Sequence, residues 1–474
     1  MYDKKKIKSG FIWTALDSLG TQGIALVISL ILANILGPNV FGLVAILTIM
    51  VNIANVFVNS GFNLALIRKL DRNEADYSTT FYFSLVVSIV FYLILFIFSP
   101  SIAIFYQQPE LLSLTRVIAL TIIINAFAAI PKVKLTVALN FKTQAKANLV
   151  ALIISGSVAL ILAFLGYGVW ALIFQQLILA IVNVLILNLI APWRPKEKFS
   201  NKSFKELFGF GYKLLLSSLI DTIYRNIYGL IIGKQFSAQQ LGIFNQADKL
   251  SSVPAMTLTG VIQKVTYPML SSMQHDTKKL DETYLLTLKF SAFIIFPAMF
   301  GISIIASPLV DILLGSEWQS TSEYIRIITI AFALYPIHAI NLNILQVKGR
   351  SDLFLKLEII KKINLTVMLL ITVPIGIKAI CIGMVICSFL AFFINTYYSG
   401  KLSSITITKQ ITTLMPIGLI TTISAFAGYM AGINVSSNIL QITTMLAVAL
   451  SAYIGIMLLV QRPLLITLKN TLKV

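Results

Sequence analysis

The sequence predicts an all-α polytopic membrane protein of fourteen transmembrane helices: two six-helix lobes in a pseudo-two-fold repeat, plus two C-terminal helices. Three observations carry this expectation. Of 474 residues, 57% are hydrophobic and only 12% charged, with mean hydropathy +0.88, which is too apolar for a soluble chain of any size. The apolar residues come in runs of about 20 or more, the length a helix needs to cross a bilayer. The second half of the chain repeats the first.

In chain order, the first six runs lie at 10–36, 40–67, 77–98, 111–131, 145–166 and 168–191, the last two parted by the breaker Gly166, Tyr167, Gly168. The first run is too long for a signal-peptide core and no small-residue cleavage site follows it, so it is expected to stay as a spanning helix. The polar segment APWRPKEKFSNKSFKE at 191–206 then interrupts the pattern. It marks a cytoplasmic linker at 192–208 between an N-lobe, 1–191, and a C-lobe, 209–400. Runs 7 to 12 lie at 209–233, 240–271, 284–305, 323–346, 355–376 and 378–399. Runs 13 and 14, at 409–432 and 437–460, fall in the C-terminal part, 401–474, which ends in a cytoplasmic tail.

Charge fixes the topology. The net charge is +19, but the basic residues are scattered over short loops and form no continuous aromatic-interleaved surface, which excludes a nucleic-acid partner. With a cytoplasmic N-terminus, inside loops carry Lys4, Lys5, Arg68, Lys69, Lys132, Lys134, Arg194, Lys278, Lys348 and Lys401, among others, while outside loops hold little beyond Lys234 and Lys378. This is the positive-inside rule. Run 8 contains Asp248, Lys249, Pro254 and Lys264, yet omitting it would invert every later loop, so both termini are expected to be cytoplasmic. The two cysteines, Cys381 and Cys387, share one apolar run and read as small buried hydrophobes rather than a disulfide or metal site.

Shifted by 200 residues, LGPNVFGLVA at 36–45 lies over FSAQQLGIFN at 236–245, so Gly42 meets Gly242. After small insertions the shift becomes 210, and Arg116 meets Arg326. Six helices per copy is an even number, so the copies share orientation about an axis along the membrane normal. Two-lobed transporters of this kind bind substrate at the repeat interface and work by rocking.

The candidate site follows from polar residues where lipid disfavours them. The stretch LIDTIYRNIYGLIIG at 219–233 holds Asp221 and Arg225, and a charge near the bilayer centre costs roughly 2.5–3.5 kcal/mol on insertion scales. At helical spacing Asp221, Tyr224, Arg225 and Tyr228 share one face, which must look at something polar. Arg225 and Lys249 each lie about eight residues below an outer helix end, hence about 12 Å deep, and together suggest an anion site. A structural Asp221–Arg225 ion pair is the alternative. Asn52, Asn55, Asn59 and Asn63 form a stripe on run 2 that serves either as lining or as interhelical glue. Arg116 and Arg326 lie near outer helix ends, where snorkelling competes with a binding role. Asp17, Asp221 and Asp248 are the embedded carboxylates whose protonation would couple transport to an ion gradient. His338 reads as a packed polar residue. No nucleophile and base constellation, metal motif or phosphate-binding glycine loop is present, so no catalytic or metal residue is assigned.

A family resemblance rests on Gly10, Trp13, Gly20 and Gln22, followed by LGPNVFGLVA and by SGFNLALIRK at 60–69, with RNIYGLIIG from Arg225 and LGIFNQADKLSSVP from Leu241 in the second half. Together these resemble the polysaccharide flippases of the MOP superfamily, the Wzx-type O-antigen, colanic-acid and teichuronic-acid exporters. The resemblance implies a carrier, not an enzyme, in the cytoplasmic (inner) membrane. Its substrate would be an undecaprenyl-diphosphate-linked oligosaccharide, moved to the outer leaflet. On that reading Arg225, Lys249, Arg116 and Arg326 take the diphosphate, and Asn52, Asn55, Asn59, Tyr224 and Tyr228 line the glycan. It further implies membrane lipid and a polysaccharide polymerase complex as partners, H+ or Na+ as coupling ion, no other cofactor, and a lipid groove against helices 13 and 14, as in the lipid II flippase branch. The embedded charges are fewer than the pattern favours. Two other readings stand beside it. A multidrug extruder of the same superfamily would carry amphipathic cations, which Arg225 and Lys249 would repel. A glycan polymerase or ligase would expose a large outer loop with catalytic groups, whereas 306–322 offers only Asp311 and Glu317.

Overall fold

The computed structural model describes residues 4–59 and 61–461, with side chains from residue 20 onward except at residue 265. Among the described residues all regular elements are helical, and the chain divides into two compact units after Gly242. The first unit holds α1 (Lys4–Asn59), α2 (Phe62–Arg68), α3 (Glu74–Tyr106), α4 (Leu111–Ile118), α5 (Leu120–Ala126), α6 (Ala129–Val137), α7 (Phe141–Phe164), α8 (Val169–Ile190) and α9 (Asn201–Gln235). Helix α10 (Ala238–Ser272) begins there and passes into the second unit. That unit continues with α11 (Thr277–Ile304), α12 (Ala306–Leu313), α13 (Gln319–Ala333), α14 (Tyr335–Val347), α15 (Ser351–Thr372), α16 (Ile377–Gly400), α17 (Ile407–Gly432) and α18 (Asn438–Val460).

The helices are patterned inside out. On α3, Val86, Val90, Leu93, Ile97 and Ile104 are exposed, while Ser78, Thr79, Thr80, Ser84, Ser88 and Ser99 are buried. Water would enforce the reverse. In lipid, small and polar residues pack helix against helix and branched apolar chains face the acyl tails. Helix α7 does the same through a buried seam of Ala147, Ala151, Ser155, Ala159 and Ala163, packed on α1 and α8. A Cβ added at Gly156 in that seam would stand 2.3 Å from Ile28 Cδ1.

Expected runs 1 and 2 part at Gly37, whose φ of 74° and ψ of 171° break the helical path of α1, with Pro38 following. Glycine reaches that φ without steric cost, and proline supplies no N–H to continue the ladder. Expected run 4 is divided into α4, α5 and α6, with Leu111–Ala126 and Ala129–Val137 meeting at 41°. Pro131 explains the bend: it cannot donate to the Phe127 carbonyl, and its ring crowds that oxygen. The repeat-related glycines pack reciprocally within the first unit. A Cβ on Gly42 would fall 1.6 Å from Ala238 O, and one on Gly242 would fall 1.9 Å from Pro38 O.

By length and composition, nine helical stretches among the described residues can cross a membrane, or ten if the bent pair around residues 127–128 is one span. Fourteen were expected. One of the nine, Gly20–Arg68, contains two expected runs across Gly37. Expected runs 7, 8 and 11 form α9, α10 and α15, which are helical but are not among the nine.

Polar contacts pin both units. Lys69 Nζ stands 3.0 Å from Asp76 Oδ2 and 2.9 Å from Glu206 Oε2, tying the start of α9 to the α2–α3 connection. Burial disfavours the Lys69 ammonium, but hydrogen bonds to Glu206 and Asp76 outweigh it and raise its pKa. In the second unit, Gln410 Nε2 of α17 donates to Tyr284 Oη of α11 at 2.8 Å and to Asn341 Oδ1 of α14 at 3.1 Å. Tyr284 Oη also donates to Asn341 Oδ1 and lies 3.1 Å from Ser399 Oγ of α16. All four residues are fully buried, so four helices meet on one polar knot, in which Asn341 Nδ2 alone is left without a partner.

Candidate substrate-binding site

The first unit encloses a cavity of about 520 Å³ lined by uncharged polar side chains. Two halves of α1 contribute: Thr21 and Gln22 before the Gly37 break, Asn52 and Asn55 after it. Helix α5 adds Thr121 and Asn125, α7 adds Asn148, and α8 adds Gln176 and Asn183. A run of Asn and Gln at this density inside apolar helices is expensive unless the amides are bonded to each other or to a ligand. Some are bonded to each other. Asn183 Nδ2 donates to Asn148 Oδ1 at 2.6 Å, and Gln176 Nε2 donates to Thr48 Oγ1 at 3.2 Å. Others are not: the Oδ1 atoms of Asn55 and Asn183 are buried without a hydrogen-bond donor. Among the described residues the only charged side chain in the lining is Lys132 of α6, and no carboxylate joins it.

The expected anionic-substrate residues fall in both units, Arg116 and Arg225 in the first, Lys249 and Arg326 in the second. Arg225 Nε stands 2.8 Å from Asp221 Oδ2 on α9, so the ion pair given as the alternative to an anion site forms, yet the two side chains remain 77% and 49% exposed. The guanidinium is therefore accessible while paired. Tyr224 and Tyr228 are half-buried on the same helix. Arg116 Nε donates to Ser99 Oγ at 2.9 Å and its guanidinium lies 4.3 Å over the Phe96 ring, which holds it against α3. Arg326 stands 5.9 Å from the Tyr429 ring, with its Nε buried and unbonded. Lys249 and Asp248, both half-buried in α10, make no ion pair among the described residues. The Asp17 side chain lies outside the described residues. Of the Asn stripe, Asn52 and Asn55 reach the cavity, whereas Asn59 Oδ1 accepts from Asn63 Nδ2 at 3.3 Å. His338 is bonded within the second unit, 3.1 Å from Ser388 Oγ through Nε2.

The second unit carries an apolar groove of about 320 Å³ between α11, α13, α16 and α17, with Leu334 of the α13–α14 junction. Phe296, Phe300, Phe389, Phe392 and Phe393 supply most of its wall, Leu414 and Met415 of α17 close one side, and Thr422 is its one polar side chain. Such a surface has nothing to offer a sugar or a phosphate and suits a hydrocarbon chain.

Known proteins share this chain's sequence and architecture. The sequence pattern of the family described as "Polysaccharide biosynthesis protein" matches residues 31–323, well over half of the chain. The chain belongs to this family. Among curated proteins, the teichuronic acid biosynthesis protein TuaB of Bacillus subtilis (strain 168) is 24% identical over 351 residues, covering 74% of this chain and 73% of TuaB. The lipopolysaccharide biosynthesis protein WzxC of Escherichia coli (strain K12) is 24% identical over 405 residues, covering 84% of this chain and 80% of WzxC. The solved structure of the lipid II flippase MurJ in an inward closed conformation matches with a TM-score of 0.79 at 14% identity, covering 96% of this chain and 100% of MurJ. At that identity the likeness shows the fold alone, a multi-pass bundle of membrane helices.

In this polysaccharide biosynthesis family member, sequence reasoning missed most of the cavity. Thr121, Asn125, Asn148, Gln176 and Asn183 are scattered over three apolar runs with no shared period, and Lys132 reads as one more loop lysine. The available signal was that all of these interrupt spanning runs of the first lobe.

Proposed function

We propose that this protein is a flippase, not an enzyme, that translocates undecaprenyl-diphosphate-linked oligosaccharide repeat units across the cytoplasmic (inner) membrane by alternating access, with both termini cytoplasmic, for cell-surface polysaccharide biosynthesis. The observation that carries this reading is the amide-lined cavity, with no carboxylate among its described lining residues, in a membrane-embedded unit of a polysaccharide biosynthesis family member. Primary amides offer both donors and acceptors, the complement of sugar hydroxyls. The aromatic groove against α17 supports a polyprenyl tail, because its wall is hydrocarbon throughout save one threonine. Arg225, Lys249, Arg116 and Arg326 are the candidate diphosphate contacts, with Arg225 the most accessible of those placed in a pair. Asn52, Asn55, Asn59, Tyr224 and Tyr228 are the candidate glycan contacts. Asp17, Asp221 and Asp248 are the candidates for H+ or Na+ coupling, and a polysaccharide polymerase complex is the partner that would consume the flipped product.

The test uses cells lacking the gene, complemented with wild type, Arg225→Ala or Lys249→Ala at matched membrane levels. The leaflet distribution of the lipid-linked oligosaccharide is measured. Accumulation on the cytoplasmic face in the deletion strain and in both variants supports the carrier and its diphosphate contacts together. Accumulation in the deletion strain alone supports the carrier and removes those two contacts. Unchanged distribution with increased drug sensitivity overturns the reading in favour of a multidrug extruder.

A further inference from the structure

We infer that the cavity of the first unit contains a subsite for a sugar residue bearing a single carboxylate, with Lys132 as the residue that recognises the acid group. The inference rests on the carrier reading and deepens it, from sugars in general to a monoanionic sugar acid.

The chain brings Lys132 to the amides through the α5–α6 bend. Asn125 and Lys132 are seven residues apart, about two helical turns, and both line the cavity although Pro131 breaks the helix between them. The contrast with the next lysine on the same helix is informative. Lys134 Nζ stands 3.3 Å from Glu74 Oε1 and 4.7 Å from the Tyr77 ring, so its charge is neutralised within the protein. Lys132 has no carboxylate within ion-pair distance among the described residues. A cation kept beside a set of neutral amides, with no counter-ion among the described residues, is placed to meet an external one.

The chemistry of the surroundings narrows the ligand. A bare inorganic anion would need several cations or converging backbone N–H groups, and the lining supplies one ammonium. One ammonium matches one negative charge. The amides, two of them with acceptor oxygens lacking a donor, match the hydroxyl groups of the ring that carries it. A volume of about 520 Å³ falls within the roughly 300–1,000 Å³ typical of small-ligand sites. Glucose and glucuronic acid form a matched pair for testing this, since they differ only by a hydroxymethyl group replaced by a carboxylate.

The experiment titrates glucose, glucuronic acid and inorganic phosphate into purified full-length protein in detergent, read by saturation-transfer NMR. Wild type is compared with Lys132→Met, Lys132→Arg and, as a control on a distant exposed lysine, Lys202→Met. One charge-assisted hydrogen bond at an accessible site corresponds to about a tenfold preference for glucuronic acid over glucose. That ratio is expected to fall to near one in Lys132→Met, to recover in large part in Lys132→Arg, and to persist in Lys202→Met. Equal affinities for the two sugars in wild type would overturn the inference, as would a preference that survives Lys132→Met. Displacement of glucuronic acid by an equal concentration of phosphate would also overturn it, because the site would then read charge without the sugar. Flipping by wild-type protein is followed separately in proteoliposomes. Its absence would defeat the carrier reading while leaving the binding result intact, so the two failures are told apart.

Discussion

Each unit buries a cluster of amides and hydroxyls inside membrane helices, and the two clusters are finished differently. In the second unit, Tyr284, Asn341, Ser399 and Gln410 bond one another across four helices, with Asn341 Nδ2 left without a partner. In the first, Asn52, Asn55, Asn125, Asn148, Gln176 and Asn183 surround a cavity, and two of their oxygens are left without donors. The same residue types therefore act as glue in one place and as a wall in the other. What separates the roles is arrangement, not composition: side chains that bond one another hold helices together, even with Asn341 Nδ2 left over, whereas amides that line a cavity are placed for a ligand to bond.

Mutations should separate the two clusters. The largest stability effect is expected from Tyr284→Phe, which removes the hydroxyl shared by Asn341, Ser399 and Gln410 and leaves buried groups unpaired. Thermal unfolding in detergent should show a loss of about 1–3 kcal/mol. Flipping per folded molecule should be nearly unchanged, because Tyr284 does not line the amide cavity. Asn55→Leu should do the opposite. Its Oδ1 has no donor to lose, so stability should move by about 1 kcal/mol or less, while flipping of a lipid-linked oligosaccharide in proteoliposomes should fall roughly fivefold for one lost sugar contact. If Asn55→Leu unfolds the protein as readily as Tyr284→Phe, the contrast disappears.

Smaller effects belong to the exposed ion pairs. Asp221→Ala breaks the α9 pair at a site where both partners remain accessible, so the stability change should stay within about 1 kcal/mol. The Lys69 cluster gives the smallest response near neutrality. Glu206→Gln removes the more exposed of two carboxylates, with an expected loss of about 0–1 kcal/mol in the same unfolding measurement. Because the Lys69 pKa is raised in the folded protein, its contribution is fully present below the unfolded value of about 10.4 and is lost only as pH rises through the higher folded value. Wild type and Glu206→Gln should therefore keep a constant stability difference between pH 6 and pH 9, and converge only in strong alkali.

The fold was largely legible in the sequence because bilayer length and charge asymmetry act on every loop and helix. The break at Gly37 and Pro38 and the reciprocal pairing of Gly42 and Gly242 follow from local sequence and the repeat. The Asp221–Arg225 pair was equally readable, since residues four apart on a helix meet. The cavity was harder. Asn52, Asn55, Asn59 and Asn63 share a face by period alone, and nothing in that period says that the first two meet α5, α7 and α8 while the last two bond each other. Lys132 was hidden by its type. A lysine near a helix end counts toward topology, and only the Pro131 bend and the packing of α6 bring it beside the amides.

The most direct test of the account compares flipping and stability in one preparation. Asn55→Leu and Tyr284→Phe are reconstituted at equal amounts of folded protein, and both leaflet transfer of lipid-linked oligosaccharide and thermal unfolding are recorded. The account predicts slow transfer with near wild-type stability for Asn55→Leu, and wild-type transfer with reduced stability for Tyr284→Phe. The reverse assignment, or equal transfer by both variants, would contradict it.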